Sequence, residues 1–320
     1  MTVSNGSAVL ARKLAKSYGR RVAVEGIDFE VPAGICFGFL GPNGAGKTTT
    51  LRLLATLLTP TSGRATVAGV DLLKDPARVR ERIGYVPQGG STDPAETGRG
   101  ELVLQGRLYG MPASDARARA AEVLAKLDLE SAADRPTGTY SGGMRRRLDV
   151  GLGIVHRPQV LFLDEPTTGL DPQARARMWD EIQNLRALGT TVFLTTHYLE
   201  EADALCDRVA IIDHGSIVAE GTPDQLKQKV AGDVVTIGVN GSGASVLTLV
   251  EAMAFVREAS FDADTELVRL YVDRGETAVP HLLRSLDAAG FEPTSIALNK
   301  PSLDDVFLRQ TGRSLREEAA

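Results

Sequence analysis

The chain has 320 residues, of which 43% are hydrophobic and 24% are charged, and its formal net charge at pH 7 is −5. Such a length buries a substantial core and suggests about two domains, while the acidic balance argues against a nucleic-acid partner, because that binding depends on Lys and Arg neutralising phosphates. No apolar stretch approaches the roughly 20 residues that span a bilayer, and the N-terminus lacks the apolar core of a signal peptide, so we expect a cytoplasmic protein.

The first 40 residues carry short apolar segments that are typical of β-strands. We predict strands at Val9–Leu14, Val22–Val24, Ile27–Val31 and Ile35–Leu40. Turn signals at Tyr18-Gly19 and at residues 32–34 separate them, which predicts an antiparallel β layer. Tyr18 lies in the first predicted turn, where its ring either stacks on a nucleotide base or is simply a half-exposed turn tyrosine.

A glycine-rich motif follows the fourth predicted strand. It reads Gly41-Pro42-Asn43-Gly44-Ala45-Gly46-Lys47-Thr48 and leads through Thr49 into a predicted helix at Thr49–Leu58. Glycines let the backbone N–H groups turn inward around phosphates, Lys47 reaches the β- and γ-phosphates, and the Thr48 hydroxyl is placed to hold Mg²⁺. An accidental match in a glycine-rich turn is the alternative, and the strand–loop–helix context argues against it.

The middle of the chain changes from strand to helical character. Ala65–Val67 and Ile83–Val86 are predicted strands, and the second ends at Pro87-Gln88. Residues 91–157 are predicted to form an inserted helical subdomain, with helices at Glu101–Leu108 and Ala113–Leu127.

A Ser-Gly-Gly turn, Ser141-Gly142-Gly143, opens a further predicted helix within this subdomain. Ser is a preferred N-cap, and the bare N–H groups of the first turn make a second candidate anion site. An ordinary capped helix with a solvated arginine face fits the same pattern.

Two acids end an apolar run without polar alternation, Val160–Glu165. A run without polar alternation is typical of a strand buried on both faces of a parallel sheet, and ligands bind at the carboxyl edge of such sheets. We therefore predict that Asp164 holds Mg²⁺ and that Glu165 acts as a base. A loop at 166–172 and a helix at Gln173–Leu188 follow.

A further buried strand is predicted at Thr191–Leu194, and it places His197 on the same edge as the two acids. A lone histidine is more often structural than functional. Glu200, Glu201 and Asp203 fall on a predicted helix, and another predicted strand at Val209–Ile212 leads to a hairpin turn at Gly215. Cys36 and Cys206 read as small buried apolar residues.

The last hundred residues are predicted to form a small separate α/β domain. Strands are expected at Asp233–Val239, Glu266–Val272 and Ser295–Leu298, and a helix at Thr277–Ala289. This segment shows no site of its own. A passive packing unit is one interpretation of this segment.

These motifs, in this order, resemble the nucleotide-binding subunit of ABC transporters across residues 1–225. The finer resemblance is to the daunorubicin/doxorubicin-resistance ATP-binding subunits, and it rests on residues 140–148, on Thr195–Ala202 and on Pro301–Leu308. The resemblance implies an α/β P-loop NTPase with a RecA-like core, an antiparallel β layer and the inserted helical subdomain, followed by a small C-terminal α/β domain at 226–320. Tyr140 and Met144 stand where Leu and Gln are usual. For residues 226–320 the resemblance suggests a regulatory or dimer-stabilising role.

The resemblance also implies roles for individual residues in hydrolysing MgATP. The catalytic group is Glu165, His197, Gln88 and Lys47; the metal ligands are Thr48, Gln88 and Asp164; and the nucleotide contacts are Tyr18, Gly41, Asn43, Gly44, Ala45, Gly46, Lys47, Thr48 and Thr49. Ser141, Gly142, Gly143 and Asp171 are implied to contact ATP that a second subunit holds. Two chains are thus expected to close on two nucleotides.

The predicted function is that of an export ATPase. The implied partners are a second copy of the chain and separate transmembrane permease subunits, with no nucleic acid, at the cytoplasmic face of the membrane; the implied cargo is a small hydrophobic drug, antibiotic or lipid. One alternative is a soluble ABC-type ATPase that is not linked to transport. Another is a nucleotide sensor that does not hydrolyse ATP, which Glu165 and His197 argue against.

Overall fold

A computed structural model describes residues 6–229, 232–263 and 265–312. The chain divides into two compact units, with the boundary between Pro223 and Asp224. Residues 1–5 and 313–320, which the predicted domains include, lie outside the described ranges. Within those ranges, no helix is both long enough and apolar enough to cross a bilayer.

The first unit contains two sheets and two groups of helices. Its strands are β1 (Ser7–Tyr18), β2 (Arg21–Pro32), β3 (Cys36–Leu40), β4 (Ser62–Val67), β5 (Val70–Asp71), β6 (Ile83–Val86), β7 (Val160–Asp164), β8 (Thr191–Thr196), β9 (Arg208–Asp213) and β10 (Ser216–Gly221). Its helices are α1 (Lys47–Leu54), α2 (Pro76–Arg82), α3 (Gly98–Leu108), α4 (Ala113–Lys126), α5 (Gly142–Ile154), α6 (Pro172–Ala187) and α7 (Leu199–Leu205), with 3-10 turns at Glu130–Ala132 and Thr137–Thr139.

The central sheet has the strand order β10-β9-β3-β8-β7-β6. Strands β9, β3, β8, β7 and β6 run parallel, and β10 pairs antiparallel at one edge. Every residue of β3, β7 and β8 is buried, as expected of parallel strands that are covered on both faces. Because these strands are parallel, the residues that follow β3, β7 and β8 share one edge of the sheet.

An antiparallel sheet of order β2-β1-β4-β5 forms the second layer of this unit. Aromatic rings join the two sheets: Phe29 of β2 lies with its ring centroid 5.6 Å from that of Phe39 and 6.1 Å from that of Phe193. These rings are nearly or fully inaccessible to solvent, so this apolar core packs β3 and β8 of the central sheet against β2.

Helices α3, α4 and α5 pack on one another around a separate apolar cluster. The cluster contains Leu102, Val123, Leu124, Leu127, Leu148 and Val155. Leu102, Val123 and Leu127 come from helical turns in which apolar residues recur on one face, so burying that face stabilises the group. The predicted helices at 101–108 and 113–127 correspond to α3 and α4.

The second unit is built on an antiparallel sheet of order β12-β13-β11-β14. Its strands are β11 (Asp233–Gly238), β12 (Val256–Asp262), β13 (Leu267–Val272) and β14 (Ser295–Asn299), and its helices are α9 (Gly243–Glu251), α10 (Gly275–Ala288) and α11 (Leu303–Thr311). Another helix, α8 (Pro223–Lys229), begins at the unit boundary. Residues of β11, β13, α9 and α10 share one apolar core.

Several predicted elements differ from the observed ones. Strand β2 is continuous across the break predicted between Val24 and Ile27. Gly26, at φ 62, forms an irregularity there, and pairing with β1 continues on both sides of it. Helix α1 ends at Leu54, four residues earlier than predicted, and Thr56 beyond it has φ 59. Tyr18 is the last residue of β1 rather than a turn residue.

Candidate functional site

The glycine-rich motif forms a tight loop between β3 and α1. Gly46 has φ 107, and a Cβ placed there would lie 2.5 Å from the carbonyl oxygen of Ala23. A Cβ at Gly41 would lie 2.2 Å from the carbonyl oxygen of Ile212. Helix α1 begins at Lys47 with no side-chain cap, so the N–H groups of its first turn face the loop and favour an anion.

Lys47 is buried at the base of this loop. Its Nζ donates to the carbonyl oxygens of Gly41 at 2.7 Å and Pro42 at 3.0 Å, and it lies 3.4 Å from Glu165 Oε1. The ammonium group is thus aimed between the loop and the carboxylate that ends the neighbouring strand. A phosphate oxygen in the loop would meet this positive charge directly.

The carboxylate of Asp164, at the end of β7, is the centre of a hydrogen-bond cluster. Its Oδ1 accepts from the hydroxyl groups of Thr48 at 2.9 Å and Thr195 at 2.7 Å. Oδ2 is buried and has no hydrogen-bond partner among the described residues. A buried carboxylate oxygen without a hydrogen-bond donor is suited to bind a divalent cation or a water molecule of that cation. The Thr48 hydroxyl, which bonds the same carboxylate, offers a second oxygen ligand.

Glu165 follows β7 with a left-handed backbone, at φ 47, which is uncommon for a residue with a side chain. This conformation turns the side chain out of the strand and towards the loop. Its Oε2 accepts from Gln88 Nε2 at 2.9 Å and from the Thr168 hydroxyl at 3.2 Å. His197 Nδ1 lies 3.2 Å from the same oxygen.

The charge state of Glu165 follows from these contacts. Burial alone raises the pKa of the carboxyl group, but the neighbouring His197 and Lys47 outweigh burial and lower the pKa of Glu165 to about 2. The group is therefore an anion at neutral pH. A carboxylate in this state accepts hydrogen bonds from a water molecule and polarises it.

A cleft of about 470 Å³ opens beside the glycine-rich loop, and its lining does not include Asp164 or His197. The predicted residues that line it are Tyr18, Asn43, Gly44, Gly46, Lys47, Thr48, Thr49, Gln88 and Glu165. Tyr18 is 48% exposed, and Lys16 Nζ lies over its ring at 5.2 Å from the centroid. Ala45 is buried behind the loop, and its carbonyl oxygen accepts from Gly215 N at 2.9 Å.

A second cleft, of about 480 Å³, contains the other predicted contacts. Ser141, Gly142, Gly143 and Asp171 line it, together with residues of α5 and α6. Ser141 caps α5, since its Oγ accepts from Met144 N at 3.2 Å, and Asp171 caps α6 through Ala174 N at 2.8 Å. The first turns of two helices therefore open on one cleft, and none of its lining residues lines the first cleft.

Three functional candidates were missed in the sequence. Arg21 lines the first cleft together with Tyr18, its partner in the pairing of β1 with β2. The sequence does not show that this pairing brings Arg21 close to the glycine-rich loop. Thr195 bonds the carboxylate of Asp164, and its place two residues before His197 at the end of a buried strand was an available signal. Arg146 contacts the backbone around Glu165, and no sequence signal separated it from its arginine neighbours.

Comparison with known proteins gives consistent matches. A family model described as "ABC transporter" matches residues 24–168, and one described as "ATP-binding protein DrrA1-3-like, C-terminal domain" matches residues 221–311. The chain is 46% identical to the daunorubicin resistance ATP-binding protein DrrA2 of Streptomyces coeruleorubidus, over 96% of each chain. It is 44% identical to the doxorubicin resistance ATP-binding protein DrrA of Mycobacterium tuberculosis (strain CDC 1551 / Oshkosh), over 95% of this chain and 93% of that one.

Solved structures share the fold of the first unit. The ATP-binding cassette MJ0796, in a dimeric post-hydrolysis state bound to ADP and Pi, aligns with a TM-score of 0.62. The alignment has 24% identity and covers 67% of this chain and 98% of the cassette. This likeness shows that the two sheets and the helical group form the fold of an ATP-binding cassette.

Proposed function

The chain belongs to the family of ABC transporter ATP-binding proteins and is an ATP hydrolase, and from this premise we propose that two copies hydrolyse MgATP at a shared interface to drive export of a small hydrophobic molecule. We propose residues 1–225 as the nucleotide-binding domain, with the helical subdomain at 91–157, and residues 226–320 as an accessory domain. Separate membrane subunits carry the cargo, which places the chain peripherally at the cytoplasmic face of the membrane.

The convergence of four side chains on one carboxylate supports this proposal most strongly. Lys47, Gln88, Thr168 and His197 all contact Glu165 at the open side of the glycine-rich loop. Hydrolysis requires in-line attack of water on a phosphoryl group, so catalysis is mostly positioning and electrostatics. In the proposed mechanism Glu165 polarises the water, while Lys47 and His197 face the charge that develops on the γ-phosphate.

The residues at the end of β7 fit a magnesium ion. Mg²⁺ takes oxygen ligands, and the Thr48 hydroxyl, the Asp164 carboxylate and the side-chain amide oxygen of Gln88 are the candidates. Asp164 Oδ2, which lacks a hydrogen-bond partner among the described residues, supports this assignment. A bound Mg²⁺ would neutralise charge on the phosphates, and these three residues would orient it.

The second cleft supports the two-copy arrangement. Ser141, Gly142 and Gly143 present helix N–H groups, which suit a phosphate, yet they line a different cleft from the one that holds Lys47. When the first cleft of one copy faces the second cleft of its partner in a two-fold dimer, symmetry brings the remaining two clefts together in the same way. Asp171 then lies at the same interface, and Tyr18 stacks on the adenine of the ATP held by its own chain.

The proposed cargo follows the relatives, which are named for resistance to daunorubicin and doxorubicin. A soluble ABC-type ATPase without a link to transport remains the alternative to exclude. Affinity purification of the full chain from native membranes separates the two, because an export subunit co-purifies with a transmembrane protein.

Replacing the proposed base tests the hydrolytic assignment. We expect Glu165→Gln to retain ATP binding and to lower turnover by ~10²–10⁴-fold, the usual contribution of a positioned acid or base. Glu200→Gln is the matched control, because Glu200 is exposed and lines neither of the two clefts. Turnover of Glu165→Gln close to that of the control would contradict the assignment.

A further inference from the structure

Arg146 is a buried arginine of α5 whose guanidinium group reaches two loops of the site. It is 7% exposed, and all three of its side-chain nitrogens donate to backbone carbonyl oxygens. The acceptors are Pro166 at 2.8 Å from Nε, Pro87 at 2.6 Å from Nη1, and Asp164 at 2.9 Å and Glu165 at 3.2 Å from Nη2. No side-chain carboxylate is among these hydrogen-bond acceptors.

These contacts surround a residue whose backbone is held in an unfavourable conformation. Glu165 has φ 47, and a non-glycine residue keeps this left-handed conformation only where its surroundings enforce it. Its N–H donates to the Thr195 carbonyl oxygen at 3.1 Å and hydroxyl oxygen at 3.0 Å. On the other side, Arg146 holds the carbonyls of three consecutive residues, 164–166. The peptide groups on both sides of Glu165 are therefore fixed.

The same guanidinium group also fixes the loop that carries Gln88. Its Nη1 holds the carbonyl of Pro87, and the side chain of the next residue, Gln88, donates to Glu165 Oε2 at 2.9 Å. One rigid, planar fork thus sets the distance between the two loops. A lysine offers the same charge from a single nitrogen and lacks this fork, so it cannot hold four carbonyls in the same geometry.

We propose that Arg146 is a positioning residue for ATP hydrolysis, which holds the left-handed peptide at Glu165 and the loop whose Gln88 bonds the Glu165 carboxylate, so that this carboxylate faces the reacting phosphate. This inference rests on the proposed function, and it adds a residue that contacts neither nucleotide nor metal. Arg146 acts through Glu165, so its loss lowers turnover and leaves ATP binding to the glycine-rich loop intact.

Two substitutions of Arg146 and one matched control test this proposal. Arg146→Met keeps the length of the side chain and removes every donor, and Arg146→Lys keeps the charge. Arg119→Met is the control, because Arg119 is also largely buried and donates to the carbonyls of Ile154 and Val155, at the opposite end of α5. All three full-length variants are compared by thermal unfolding, binding of a fluorescent ATP analogue, and steady-state turnover.

We expect Arg146→Met to lower kcat by about 100-fold, the loss that a misplacement of about 1 Å produces, with the dissociation constant of the analogue within about threefold of wild type. The kcat of Arg146→Lys is expected to lie between those of Arg146→Met and wild type. Arg119→Met is expected to retain the wild-type kcat. If Arg146→Met does not fold, Arg146→Lys decides the question with the same readouts. An unchanged kcat in the folded variant, or a loss that Arg119→Met matches, would overturn the proposal.

A double-mutant cycle with Glu165→Gln separates positioning from general structural support. If Arg146 acts through Glu165, its substitution lowers single-turnover hydrolysis by less than about threefold in the Glu165→Gln background. A loss as large as in the wild-type background would overturn the proposal. Failure of the proposed function looks different, since Glu165→Gln alone would then keep its turnover.

Discussion

Thr195 offers a sharp test of how the strand ends stabilise the site. Its hydroxyl donates to Asp164 Oδ1 at 2.7 Å and accepts from Glu165 N at 3.0 Å, and the side chain is fully buried. Thr195→Val replaces that hydroxyl with a methyl group of similar size. The substitution therefore removes two hydrogen bonds without opening a cavity.

The two lost bonds differ in energy. A hydrogen bond to a charged group contributes about 1.5–3 kcal/mol, whereas Glu165 N keeps its second acceptor, the Thr195 carbonyl oxygen at 3.1 Å. We therefore expect Thr195→Val to lower the free energy of unfolding by about 2 kcal/mol. Turnover should fall as well, and the Mg²⁺ concentration for half-maximal activity should rise, because Asp164 Oδ1 then keeps only the Thr48 hydroxyl as a donor within the described part of the chain.

Thr191→Val is the matched control on the same strand. The Thr191 hydroxyl accepts from Gly34 N at 2.9 Å and lies at the far end of β8. Losing this neutral bond is expected to cost about 1 kcal/mol with turnover unchanged. Denaturation followed by the fluorescence of Trp179, the single tryptophan, reports on the unit that contains both sites. Equal losses of stability, with wild-type Mg²⁺ dependence in both variants, would refute the reasoning.

Three further predictions concern the loop, the second cleft and pH. Gly46→Ala should abolish ATP binding, because Gly46 has φ 107 and the added Cβ would lie 2.5 Å from a backbone oxygen. Gly69→Ala is the control and should retain binding, because Gly69 has φ 75 but its Cβ would lie in open space. Similar ATP titration curves for the two variants would contradict this prediction. Ser141→Arg should block hydrolysis without weakening ATP binding to the monomer, and an equal loss of both would show that Ser141 does not act across a dimer. Because the pKa of Glu165 is lowered from 4.5 to about 2, the contribution of its carboxylate to stability is complete above about pH 4.5 and is lost as the pH falls towards 2. The unfolding midpoints of wild type and Glu165→Gln should therefore converge on acidification. Parallel plots of the two midpoints against pH would contradict the assignment.

The parts of the fold that the sequence predicted are those in which local pattern and tertiary packing agree. The unalternating run of β7 indicated a buried parallel strand because burial on both faces removes the need for polar alternation, and β8 was predicted as a further buried strand. The prediction that placed β3 in the antiparallel layer is wrong, because β3 pairs parallel with β8 and β9 in the central sheet. Helix α9 was missed because Val246, Thr248 and Val250 favour a strand locally, and packing of its apolar face on the sheet decides the outcome.

Other misses come from signals that are weak in one sequence. Helix α2 has only seven residues, too few for helical periodicity to stand out. Helix α11 carries a capping box between Ser302 and Asp305, a signal that was present but not used. Strand β12 has four polar residues among seven and takes its place from pairing with β13.

The site shows the same division between local and tertiary information. Lys47, Asp164 and Glu165 could be assigned roles because a loop motif and a strand edge dictate where such side chains point. The contacts of Arg146 could not, because they depend on how α5 packs against two loops that are distant in sequence. The left-handed backbone of Glu165 is likewise imposed by those contacts, since its residue type does not favour that conformation.

The central claim is that each ATP site combines the Lys47 cleft of one copy with the Ser141 cleft of another, and a mixing experiment tests it directly. Lys47→Ala and Ser141→Arg are each expected to be inactive alone. A mixed dimer has one complete site and one site that carries both substitutions. Because about half of the dimers are mixed when an equimolar mixture exchanges freely, the mixture should recover up to about a quarter of wild-type turnover. A mixture that forms dimers and stays as inactive as its components would contradict the account.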